Sequence, residues 1–143
     1  MLNIIHCEWA RGCSDSAATV LRLATGLVFF IHGYQKLGTG VEGVAGFLAS
    51  LGFPMATTFA IILIAVETVG GAALILGIFT RTAAALTAIV SIVGLLTVHA
   101  SKGFFISNGG FEFILLLFAA SLSLLITGAG AYSLDRQFNT AQK

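Results

Sequence analysis

Four apolar runs, Ala17 to about Leu37, Met55 to about Phe79, Thr82 to about Val98 and Phe111 to about Thr127, decide most of what this chain can become. Each holds about 17 to 25 residues, enough at about 1.5 Å of rise per residue to cross a hydrocarbon core of about 30 Å. A helix of a soluble bundle keeps a polar stripe, yet Ala60 to Val66 and Leu115 to Ala120 are apolar all round. Only 9% of residues are charged, against roughly a quarter in soluble domains. The expected fold class is therefore all-α: an integral membrane four-helix bundle with lipid as its main solvent. A formal net charge of +1 excludes a nucleic-acid partner, which needs a large basic patch to release counterions.

Punctuation along the chain agrees with these runs. Ser14, Asp15 and Ser16 are N-cap candidates for the first helix, and Phe53-Pro54 stops the chain before the second. The link Gly77 to Thr82 is short enough to force a tight hairpin between the second and third helices. Ser107 to Gly110 forms a turn cluster, and Gly128-Ala129-Gly130 ends the fourth helix. Between the first two helices, Val41, Val44, Leu48 and Leu51 recur at helical spacing in a segment too short to span, so a short interfacial or re-entrant helix is expected there.

The expected division is a cytoplasmic N-terminal tail, 1–15, a membrane domain, 16–130, and a cytoplasmic C-terminal tail, 131–143. The first residues lack the basic start and cleavage site of a signal peptide. Four crossings put both termini on one side. Arg11, Arg81, Arg136 and Lys143 on that side against Lys36 and Lys102 on the other make it the cytoplasm, in a bacterial inner membrane. Cys7 and Cys13 lack both zinc-finger and CxxC spacing, so with His6 they are expected in a solvated tail.

Ionisable groups at membrane depth cost about 2.5 to 3.5 kcal/mol each on insertion scales, so they face a bundle interior and pair. Arg22, Gly26, Phe29, Gly33 and Lys36 fall on one face of the first helix, with His32 at its edge. On the second, Glu67, Gly71 and Leu74 share a face with Gly70 beside it, a small-residue stripe that lets the first helix approach. An Arg22–Glu67 ion pair is expected, serving either to fix helix packing or to meet protons, a quinone or a substrate. His32, Lys36, His99, Lys102 and Glu112 are expected at a common depth, where they form a polar mouth or simply snorkel and cap helix ends. No ligand pair at metal spacing occurs among them, so no metal is expected. The phenylalanines Phe29, Phe30, Phe104, Phe105, Phe111 and Phe113 are expected in belt and core packing.

These residues resemble the bacterial DoxX family. The resemblance runs through Leu21-Arg22-Leu23, His32-Gly33-Tyr34-Gln35-Lys36-Leu37, Phe47 to Pro54, Glu67, Leu76 to Arg81, His99, Lys102 to Phe105, Gly110-Phe111-Glu112 and Thr127 to Arg136, in order over about residues 20 to 136. Gly128-Ala129-Gly130 stands where family members often have Gly-Pro-Gly, a departure at a helix end. The resemblance implies kinship with the DoxD subunit of thiosulfate:quinone oxidoreductase and with membrane complexes of oxidative-stress defence. The expected function is accordingly a redox-associated subunit contacting quinone or a small sulfur species, with quinone the cofactor and membrane proteins the partners. The alternative is a non-catalytic scaffold that docks soluble partners. A transporter is disfavoured by the lack of an inverted repeat or broken helix pair.

Overall fold

The computed structural model describes residues 14–140, and among them the backbone is helix and turn without strand. Residues 1–13, on which the expectations for His6, Cys7 and Cys13 fall, and the last three residues lie outside the described part. Helix α1 spans Ser14–Ser50, α2 Ala56–Leu76, α3 Thr80–Lys102 and α4 Glu112–Thr127, and a short α5, Leu134–Thr140, follows. The first three are long and apolar enough to cross a membrane. Helix α4 is equally apolar but has 16 residues, about 24 Å of helix.

The side-chain distribution is that of a protein dissolved in lipid. Leu27, Ile31, Ile61, Val69, Ile89, Leu96, Leu116 and Ile126 point outward, while Thr25, Arg22, Glu67, Thr87, Ser91 and Ser121 are buried. In water this arrangement would expose a large apolar surface and hide the polar groups, at a cost in both terms. Small residues let the helices approach instead. Gly26 and Gly33 of α1 sit directly on the α2 backbone at Gly71 and at Glu67–Thr68, leaving no room for a Cβ. Helices α3 and α4 meet through Ala83, Ala84 and Leu124, in one cluster with Leu74 of α2, with Thr87 Oγ1 and Ser121 Oγ 3.1 Å apart in an interhelical hydrogen bond.

The short helix expected between the first two spans is the stretch of α1 beyond a kink that divides it into two helices. A single residue, Gly40 (φ 80°, ψ 157°), breaks the helix, a conformation that glycine adopts without a Cβ penalty. Beyond it Val44, Ala45 and Leu48 bury in one cluster with Ala60 and Ile64 of α2. Helix α1 then ends at Gly52, where the Phe53 N–H donates to Leu48 O and the Gly52 N–H to Ala49 O, the paired bonds that close a helix through a left-handed glycine. Gly77 ends α2 in the same way, with Ile78 N–H donating to Ala73 O. The tight α2–α3 hairpin expected from the spacing is there. Its turn is tied down by Asp135, whose carboxylate accepts from the N–H groups of Phe79 and Thr80 at 2.8 and 2.9 Å and caps the start of α3.

Candidate functional site

The expected Arg22–Glu67 pair does not form. Gly33 is the α1 residue lying on Glu67, and Arg22 stands eleven residues earlier, roughly 16 Å of helix, beyond the reach of its side chain. Arg22 instead meets the opposite end of α2. Its Nη1 donates to Leu74 O at 2.5 Å and Ile75 O at 2.7 Å, its Nη2 to Tyr132 O at 2.6 Å and its Nε to Ala129 O at 3.1 Å. These carbonyls lie where α2 ends and in the chain after α4, and a cation suits the negative end of a helix. Arg22 is 1% exposed, and Gly77 must be glycine because a Cβ there would strike its guanidinium.

Glu67 takes Lys36 as its partner: Nζ to Oε2 is 2.7 Å, with Glu67 buried and Lys36 partly so. Lys36 lies one turn beyond Gly33 on the same face of α1, so the small-residue contact that brings the helices together also sets this pair. Around it lies a cavity of about 380 Å³. Phe29, His32 and Lys36 line it from α1, Glu67 from α2, Val90, Ser91 and His99 from α3, and Phe113, Ile114 and Leu117 from α4. His32 is exposed and stands at the cavity's edge. His99 is held by Gly109 O, 2.6 Å from its Nδ1. Of the candidates drawn from sequence, His32, Lys36, Glu67 and His99 are thus brought together, and Arg22 is not. Glu112 stays out of the cavity, its Oε1 accepting from the Ile106 N–H at 2.7 Å and so fixing the loop that closes one side.

Two features of this site escaped the sequence reading. Helix α2 passes through a π-helical turn at Val66–Gly70 and α3 through another at Leu95–His99. Glu67 and His99, the ionisable residues these helices contribute to the cavity, each sit on one. A π turn inserts one residue into an α-helix and re-aims the side chains around it, and such turns are frequent at functional sites. Ser91, buried on the cavity wall, was also missed; its apolar neighbours Ile92 and Val93 hide it in any hydropathy count.

Lipid-facing apolar helices around a charged, partly apolar cavity define a membrane protein with an internal ligand-sized site. The DoxX family profile matches residues 17–100, and the chain belongs to the DoxX family. It is 36% identical over 116 residues to CatD of Bacillus subtilis (strain 168), a protein named as an oxidoreductase, with 81% of this chain and 82% of CatD covered. It is 31% identical to the inner membrane protein YqjF and 33% identical to the inner membrane protein YphA, both of Escherichia coli (strain K12). Those alignments cover 87% and 82% of this chain, and 94% and 87% of the relatives. No solved structure matches.

Proposed function

We propose that this chain is a redox-associated inner-membrane subunit whose cavity between the helices receives the head of a quinone or a small sulfur species. The observation that carries this reading is the Lys36–Glu67 pair set with His32 and His99 around an otherwise apolar space of about 380 Å³. A quinone head is a flat apolar ring with two polar oxygens, and its reduction or oxidation moves protons. Imidazole, ammonium and carboxylate groups beside phenylalanine and aliphatic walls answer both needs. The name of CatD favours the same class of chemistry. In this reading residues 16–130 form a four-helix bundle with both termini in the cytoplasm, the tails 1–15 and 131–143 lie outside the membrane, and a partner supplies the redox centre.

Reduction of a short-chain ubiquinone analogue by thiosulfate is the direct test, run in membranes with and without the protein. A rate that rises with the protein and returns to background in Glu67→Gln supports the proposal; equal rates with and without the protein overturn it. The second reading, a scaffold for soluble partners, draws on the same ion pair as a registry device between α1 and α2. It expects Glu67→Gln to lower the unfolding temperature in detergent while partner proteins copurify at wild-type yield.

A further inference from the structure

Hydrogen-bond polarity on the cavity wall restricts the form in which a ligand enters. A carbonyl oxygen only accepts, so the 2.6 Å contact with Gly109 O requires a proton on His99 Nδ1, and in the tautomer that carries only this proton Nε2 is an acceptor. Ser91 Oγ donates to Thr87 O at 2.8 Å, so its proton is spent and its remaining lone pair accepts. Glu67 binds Lys36 through Oε2, and Oε1 has no donor among the described residues. Three acceptors on the lining thus come from α2 and α3. The donors come from α1: Lys36, partly exposed and already bound to Glu67, and His32, exposed at the edge.

Resting on the reading of this cavity as a redox-ligand site, we infer that it binds its ligand as a hydrogen-bond donor: a hydroxylated aromatic ring of the hydroquinone type, in preference to the quinone. A quinone offers only acceptor oxygens and would leave these acceptors unanswered against its own lone pairs. A hydroquinone turns an O–H toward His99 Nε2 or Glu67 Oε1 and accepts from Lys36 with its other oxygen. The apolar share of the wall, Phe29, Val90, Phe113, Ile114 and Leu117, takes the ring faces. Size agrees, since an apolar cavity of about 150 Å³ already holds benzene and the space here is larger by the volume of ring substituents. His99 is the group placed to take a proton from the bound hydroxyl, the imidazole gaining it at Nε2 while Nδ1–H stays on Gly109.

The test is equilibrium binding to the purified full chain in detergent, with duroquinone, its hydroquinone kept reduced under anaerobic conditions, and the hydroquinone dimethyl ether. The hydroquinone is expected to bind at least about tenfold tighter than either comparator, because buried acceptors left unpaired penalise the wrong ligand. In His99→Leu and Ser91→Ala the preference for the hydroquinone over duroquinone is expected to shrink several-fold. Quinone and hydroquinone binding with equal affinity to the wild type would overturn the inference and leave the redox-ligand reading standing. Binding of neither would remove both. The ether carries the same ring without a donor, so the wild-type comparison decides the matter even where a variant fails to fold.

Discussion

Arg22 and Glu67 sit on the first two helices as the charged residues most deeply hidden, and hydropathy alone marks both as internal. Their partners were legible in only one sense: each needed one. Carboxylates and amines can be paired on paper, whereas a carbonyl at a helix end looks like every other peptide group until the fold exposes it, and Arg22 chose four of those. The two residues therefore differ in what their loss does. Arg22→Met strands carbonyls of α2 and of the chain after α4 in a dry interior, and a cost of about 3 to 5 kcal/mol is expected, read as a large fall in unfolding temperature in detergent. Arg22→Lys should recover part of it, since an ammonium has three donors but not the guanidinium's fork. Glu67→Gln keeps an oxygen for Lys36, which is itself partly exposed and free to swing outward, so its unfolding temperature should fall much less than that of Arg22→Met. A Glu67→Gln protein less stable than Arg22→Met would show that the ranking of these two sites is wrong.

The elements were legible wherever glycine or proline punctuates them and illegible where the backbone departs from the α-helix without such a mark. Gly52 and Gly77 end helices as their positions suggest, and the small-residue stripe of α2 does receive α1. The short helix after Gly40 was legible from the period of Val44 and Leu48, whereas the surface they meet, Ala60 and Ile64 of α2, is a tertiary contact that no local pattern carries. The π turns carry no residue signature at all, because one inserted residue shifts the apolar period by less than a single sequence can resolve. Close helix approach gives the element-scale prediction. A Cβ on Gly71 would lie within 2.9 Å of Gly26 O and of the Phe30 backbone, with no flexible side chain to yield. Gly71→Ala should push α1 and α2 apart at a cost of about 1 to 3 kcal/mol, with loss of the Lys36–Glu67 contact following from the shift. Gly46, also helical, has open space where its Cβ would stand, and Gly46→Ala should be neutral or stabilise by up to about 1 kcal/mol. Thermal unfolding of the two variants side by side checks the pair, and an equal gain in both would mean that helix propensity rather than contact governs Gly71.

Across the whole molecule the groups sort into two ends. The Arg22 cluster, the α2–α3 hairpin with Arg81, and the Ser133 to Asp135 stretch that caps it gather at one end. Glu112, the loop it fixes and the His99–Gly109 contact lie at the other, beyond the Lys36–Glu67 pair. The start of α1 and the chain after α4 thus lie at the same end, and Arg81 and Arg136 weight that end with positive charge. Asp135 matters here beyond its charge: by holding the segment after α4 against the hairpin it ties together the two places where the chain emerges at this end. If the positive end is cytoplasmic, green fluorescent protein fused after Lys143 should fluoresce, and alkaline phosphatase at the same place should be inactive. Alkaline phosphatase inserted at Asn108 should then be active, because in that orientation the loop lies on the periplasmic side. An active phosphatase at the C-terminus would invert the assignment, turn the mouth of the cavity at His32 and His99 toward the cytoplasm, and with it reverse the side from which any proton released by a bound ligand leaves.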